Sequence, residues 1–314
     1  MKKSAIARIV IWSVVAVLLI GILLGVMIFS ENLNAPRIFG KEQGYKYSNE
    51  KEYTVGASEI PAETFTSIRV DWISGNVYVF AYEGDTVKIE ETSNDVIEEK
   101  YELRWRVKEN TLYIKPCQST NSWNLSNKIP TKDLFVYLPE TLATTLNIVS
   151  VNTASACIGI TDITANEIDT TTASGDTWLE KCGAINIGVE GVSGYINITE
   201  TNMERIDAET VSGNIEIMGT VKELRADSVS GTVLLYTGEA PQSADISTVS
   251  GDIKFEIPDN KGFYVDFDSV SGKITSEFSL IINNGKQIYG NGERHYDFET
   301  VSGNAYIETK DKTS

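Results

Sequence analysis

At 314 residues and 41% hydrophobic content, the chain is long enough for one or two domains with a sizeable core, which excludes wholesale disorder. A formal net charge of −17 excludes nucleic acid as a partner, because phosphates would be repelled, and leaves cations, cationic peptides or plain solubility as its use. Three cysteines (Cys117, Cys157 and Cys182) lack metal-ligand spacing, and a Cys157–Cys182 bridge and three free thiols are both compatible with them.

Residues 1–8 form a short basic stub with Lys2, Lys3 and Arg8. Ile9 to Phe29 follows as 21 apolar or small residues without a charge. As a helix this run measures about 31 Å, the thickness of a bilayer's hydrocarbon core. No small-x-small cleavage site follows it, so the run is read as a transmembrane signal anchor. The charge asymmetry places the N-terminus in the cytoplasm and the C-terminal part outside, as a single-pass cell-membrane protein. Residues 30–60 are polar and aperiodic and read as a stalk.

Residues 61–145 carry strand signals of less regular spacing and are expected to be an N-terminal cap with the first rungs of a repeat. Leu103, Trp105 and Val107 alternate with charged residues, and Glu109-Asn110 is a turn into Leu112 and Ile114, which predicts a hairpin. Leu134, Val136 and Leu138 alternate up to Pro139.

From there the chain repeats. Val-Ser-Gly ends at Gly194, Gly213, Gly231, Gly251, Gly272 and Gly303, with looser copies at Ile73-Ser74-Gly75, Ala173-Ser174-Gly175 and Ala154-Ser155-Ala156. Spacings from position 156 to Gly272 are 19, 19, 19, 18, 20 and 21 residues. Apolar residues alternate on both sides of each corner, as Ile206 and Ala208 before Gly213 and Ile215 and Ile217 after it. Two short strands cannot bury such a face alone, but stacked rungs can. The fold expected over 61–309 is therefore all-β, a parallel β-solenoid (single-stranded β-helix) of about 19-residue rungs after one transmembrane helix. Glycine would serve the turn by its freedom at positive φ, and the corner valines would stack as an inner aliphatic column. Asp or Asn after the glycine reads as a turn residue. The 31 residues from Gly272 to Gly303 include Asn283-Asn284-Gly285 and Gly290-Asn291-Gly292, signals of a protruding loop or small hairpin; 310–314 is a polar tail.

No phosphate loop, zinc spacing, nucleophile elbow or EF-hand occurs, so no catalytic residue, cofactor or metal site is assigned. Acids recur with the repeat instead. Six and four residues before the corner glycines stand Asp169; Glu190; Asp207 and Glu209; Asp227; Asp245; Asp266 and Asp268; and Asp297 and Glu299, interrupted only by Arg225. Stacked rungs would align them as an acidic ladder facing cations or cationic peptides, or simply keep that face solvated.

The serial corners, as in Thr248-Val249-Ser250-Gly251-Asp252, together with Ile73-Ser74-Gly75-Asn76 and Phe298-Glu299-Thr300-Val301-Ser302-Gly303-Asn304, resemble the bacterial putative-adhesin or toast-rack family, in which LiaG-like proteins are membrane-anchored. The resemblance implies a single-stranded β-helix without a catalytic motif, often encoded near systems that sense envelope stress or antimicrobial peptides. The function expected is non-catalytic: an adhesin-like binder of a surface ligand, or an accessory to a membrane partner. A carbohydrate-active β-helix enzyme and a structural spacer or self-associating stalk are the alternatives.

Overall fold

The structure is a computed structural model that describes residues 45, 47–119, 129–283 and 286–310. The anchor expected at 9–29, Asn284-Gly285 and most of the tail lie outside them. Among the described residues no helix is long and apolar enough to cross a membrane. The fold is all-β with a repeating, solenoid-type stack, as the corner spacing predicts. The chain divides into two compact units that meet in sequence at Gly175 and Asp176.

In the N-terminal unit the strand Ser67–Tyr82 runs through the Gly75 corner. One side of it pairs in parallel with Leu146–Thr161, Ile68 opposite Val149 and Val77 opposite Ile158. Its other side pairs in parallel with Thr111–Lys115 and Asp133–Pro139. The first rung in sequence is thus second in space, covered by a rung made later in the chain. Antiparallel strands close the outside. Arg104–Lys108 forms the expected hairpin with Thr111–Lys115, and Glu109 and Asn110 turn at φ 51° and 60°. Thr86–Thr92 pairs antiparallel with Asp133–Pro139, and Ser58–Pro61 with Thr86–Thr92. Such a cap saturates backbone groups that a parallel stack would leave open.

The stretch expected to be stalk is folded from Tyr45 onward. Tyr45, Tyr47 and Tyr53 are buried with Cys117, and the Tyr47 hydroxyl donates to the Cys117 carbonyl at 3.1 Å. Their three rings, with Ile60, bury apolar surface that holds a segment otherwise rich in Lys, Glu, Ser and Asn. All three cysteines are free thiols, and burial pushes the Cys117 thiol up to about 11.

The C-terminal unit is the regular stack. Ile196–Ser212 pairs in parallel with Gly183–Ser193 and Ile215–Ser228, and the latter with Val233–Thr237 and Ser243–Thr248. Ser243–Thr248 does not meet the corresponding strand of the next rung in sequence, Gly262–Ser269. It pairs with Arg294–Thr300, which in turn pairs with Gly262–Ser269. After the corner the same order recurs, Ile253–Ile257 to Ala305–Thr309 to Ile274–Ser276. The rungs therefore stack as Gly194, Gly213, Gly231, Gly251, Gly303 and Gly272, with the last rung in sequence wedged before the penultimate one. The excess sequence forms the expected hairpin, Ile281–Asn283 with Lys286–Gly290, the latter strand also pairing antiparallel with Gly262–Ser269.

Core columns follow the register. Ile206, Leu224, Ala244, Tyr296 and Val265 lie in line, as do Ile217, Leu235, Phe255 and Ile307. Each buried Val, Leu, Ile or Phe of these columns contributes about 1.5–3 kcal/mol of transfer free energy, set against the entropy of ordering its rung.

The corners differ from expectation in two ways. Their valines are half-exposed, and Val270 is 50% exposed. The inner place belongs to the residue three before each glycine, Thr210, Ser228, Thr248 and Thr300. At two of the four a hydroxyl reaches a corner carbonyl that valine would leave unsatisfied, Ser228 donating to Gly213 O and Thr248 to Gly231 O at 3.1 and 3.2 Å, whereas the Thr210 and Thr300 hydroxyls are buried without a partner. Second, positive φ explains only Gly75, Gly175 and Gly194. At the other corners glycine is required by close approach, since a Cβ on Gly213, Gly231, Gly251, Gly303 or Gly272 would lie 1.7–1.9 Å from the neighbouring corner's carbonyl oxygen.

The residue after the glycine also does more than turn the chain. Asn214 Oδ1 accepts the Thr232 N–H, Asp252 Oδ1 the Asn304 N–H and Asn304 Oδ1 the Lys273 N–H, at 2.7–3.1 Å. These side chains tie each rung to its spatial neighbour.

Candidate functional site

The parallel register fixes which acids meet on the outer face of the C-terminal unit. One column reads Glu190, Glu209, Asp227, Ser247, Glu299 and Asp268, and the column two residues earlier reads Gly188, Asp207, Arg225, Asp245, Asp297 and Asp266. A third holds Asn186, Arg205, Glu223, Ser243, His295 and Tyr264. Adjacent rungs are about 4.8 Å apart. The ladder exists, with an order that the sequence does not show: Asp245 faces Asp297, not Asp266. Asp169 belongs to the N-terminal unit, in register with Ser150.

Nine carboxylates thus share two columns with one guanidinium. Arg225 lies 2.8 Å from Asp227, 3.4 Å from Asp207 and 3.4 Å from Glu209. The Ser247 hydroxyl donates to Asp227. Toward the end of the stack His295 stands 3.3 Å from Asp266 and stacks on Tyr264, ring centroids 4.4 Å apart. Lys286 reaches Asp266 at 3.6 Å. Sequence reasoning missed His295 and Lys286 because they join the face only through the wedged rung and the hairpin.

Partial burial raises the carboxyl pKa of Glu190, Asp207, Glu209, Asp245, Asp297 and Glu299, and like charges add to it: Asp207 for Glu190 and Glu209, Asp227 for Asp207 and Asp245, Asp245 for Asp297, and Asp297 for Glu299. These six groups hold protons more tightly folded than unfolded. Folding therefore takes up protons as pH falls toward the ordinary carboxylate range, and stability is lost as pH climbs through the raised values. Glu204 and Glu277, held low by hydrogen bonds from Lys222 and Thr309, oppose this from fully exposed positions. The full-length chain is expected to melt at a higher temperature just above the ordinary carboxylate range, at about pH 4.5, than at about pH 7. A melting temperature that falls over that interval on acidification would contradict the raised carboxyls, whether by burial or by like charge.

Among the described residues no three His, Cys, Asp or Glu side chains converge closely enough to cage a metal ion. The charges are instead spread at rung intervals, a geometry suited to an extended row of positive groups.

The family model for Toastrack DUF4097 matches residues 65–308. A comparison with curated proteins gave no match. Among solved structures, the chain is similar to a putative lipid binding protein from Parabacteroides distasonis, at 16% identity and a TM-score of 0.49, over 81% of this chain and 96% of that one. A putative adhesin from the same organism gives 14% identity and a TM-score of 0.44, over 82% and 97%. A putative adhesin from Bacteroides fragilis gives 15% and 0.40, over 82% and 97%. With the match running from the first strand of the stack to the last, the chain belongs to the Toastrack DUF4097 family.

Proposed function

We propose that the chain is a non-catalytic, membrane-anchored binding module, held outside the cell by Ile9 to Phe29, whose carboxylate face takes extended cationic ligands such as the cationic peptides that strike a cell envelope. The observation that carries this reading is the pair of carboxylate columns, nine acids to one arginine on a surface made rigid by parallel ladders. Desolvation has already been imposed on six of these acids. A bound polycation would relieve the repulsion between them, so folding and binding favour the same arrangement. Membership of a family without a catalytic motif, and acids spread along a face instead of paired in a cleft, support a binder over a glycosidase.

The test is calorimetry on the full-length chain in neutral detergent micelles, titrated with poly-L-lysine at low salt. Binding is expected that weakens about tenfold or more when ionic strength rises toward the physiological range. The variant Asp245→Asn with Asp297→Asn is expected to bind more weakly and to melt higher. No heat of binding at low salt, or binding indifferent to the two substitutions, would remove the carboxylate face from the function.

A further inference from the structure

The hairpin that follows the Gly272 corner has a fastened base and a bare outer strand. Phe278 is buried against Phe263 and Tyr289, ring centroids 5.2 and 4.9 Å away, and the Tyr289 hydroxyl donates to Asp259 at 2.7 Å. Lys286 lies 4.0 Å over the Tyr264 ring and 3.6 Å from Asp266. Lys286–Gly290 pairs antiparallel with Gly262–Ser269 on one side and with Ile281–Asn283 on the other. Among the described residues no further strand pairs with Ile281–Asn283. Alternate residues of an antiparallel ladder turn their N–H and C=O groups toward opposite edges, so this strand holds out unpaired backbone donors and acceptors. Its side chains are bare as well. Ile281 is 72% and Ile282 77% exposed, although successive residues point to opposite faces.

Other edges of the molecule carry the features that keep strands apart. At the N-terminal end Ser58–Pro61 holds Glu59 and closes on a proline, and Thr54–Val55 is only two residues long. The open strand of the last rung, Ile274–Ser276, stands between Lys273 and Glu277. Ile281–Asn283 has neither charge nor proline. Between Glu277 and Glu293 the chain holds no acid and a single lysine, Lys286. In a protein of net charge −17, an identical chain meets its least repulsion there. A free backbone edge is complementary to another strand. Ile281–Asn283 is complementary to its own copy: pairing all three residues antiparallel about a two-fold axis sets Ile282 against Ile282 and, on either side, Ile281 against Asn283. So short a contact makes a weak dimer in solution, and two chains anchored in one membrane as proposed above would meet at a raised effective concentration.

We infer that Ile281–Asn283 is a self-association edge, through which two copies of this chain join their C-terminal sheets by antiparallel pairing centred on Ile282. It rests on neither the carboxylate face nor the cationic ligand proposed for it. Sedimentation equilibrium of the full-length chain in density-matched neutral detergent micelles is expected to show monomers and dimers with a dissociation constant between about 10 μM and 1 mM. Ile281→Lys with Ile282→Lys charges an edge that has little packing to lose, and is expected to weaken the dimer about tenfold or more with the melting temperature unchanged. A dimer indifferent to the two lysines would assign association to another surface, the anchor helix included, and overturn the inference. Cross-linking gives a readout that needs no loss of binding. Ile282→Cys, oxidised with copper phenanthroline, is expected to yield a covalent dimer. The unaltered protein, whose Cys117 and Cys182 are buried, and Val96→Cys, at a 90% exposed site of the other unit, are the controls. A cross-link at position 282 no stronger than at position 96, or monomers throughout at about 0.5 mM, would equally overturn the inference and leave the edge to a strand from a different protein.

Discussion

Replacing Gly231 by alanine is expected to destabilise the C-terminal unit by about 3 kcal/mol, the upper end of the range for overpacking, although one methyl group is added at an unburied corner. The new Cβ would lie 1.9 Å from Gly213 O and 2.6 Å from its carbonyl carbon, both backbone atoms. Neither rung can retreat. Ser230 N–H donates to Val211 O at 2.9 Å and Ser250 N–H to Val229 O at 3.0 Å, so moving one corner breaks ladder bonds on both sides. Ser230→Ala, next to it and exposed, is the control and should be near neutral. Urea denaturation of the full-length chain followed by circular dichroism reads the difference. Equal midpoints for the two variants would show that the corners yield and that glycine is not needed there.

Loss of Lys132 is expected to cost more than any single surface change in the N-terminal unit, about 3–5 kcal/mol for Lys132→Met. This ammonium group is 2% exposed and sits 2.5 Å from Glu91 Oε2 and 2.6 Å from the Pro116 carbonyl, with a further bond to Tyr101 O. It also lies 4.9 Å over the Trp72 ring, whose N–H donates to the Lys132 carbonyl at 2.7 Å. Burial lowers the Lys132 pKa and Glu91 opposes that shift. Without the lysine, Glu91, itself 6% exposed, becomes a buried charge with no counterion. Adding Glu91→Gln to Lys132→Met should recover a large part of the loss, because the amide oxygen can still accept the Leu103 N–H bond now made at 2.7 Å. If the double variant is no more stable than the single, the uncompensated charge is not what the lysine prevents.

Much of the fold could be read from the chain because its signals are local. The period near 19, the alternation around each corner, the Glu109-Asn110 turn and the Asn-rich hairpin after Gly272 each involve residues close in sequence. Rung order at the two ends was hidden because it depends on pairing between distant segments, such as Ser243–Thr248 with Arg294–Thr300. That order also decides which acids are neighbours, so the candidate face was legible as a list and illegible as a site. The corner valine misled because its hydrophobicity says nothing of the carbonyls that a threonine three residues earlier must satisfy. The bare hairpin strand was concealed differently. In Leu280-Ile281-Ile282 an apolar run reads as buried, and only the tertiary fold leaves it at an edge. Tyr45, Tyr47 and Tyr53 were lost among Lys, Glu, Asn and Ser, where no periodicity marks burial.

The wedged rung sets an order on assembly during synthesis. Were translation to stop after Gly292, the strands flanking Gly272 would lack Arg294–Thr300 and Ala305–Thr309, the only described strands that align with them in parallel, and the Gly251 rung would be bare on one side. The assembly closes like an arch, whose final stone goes in below the crown. The Gly303 rung itself is occupied on both sides, by the Gly251 rung and by the Gly272 rung.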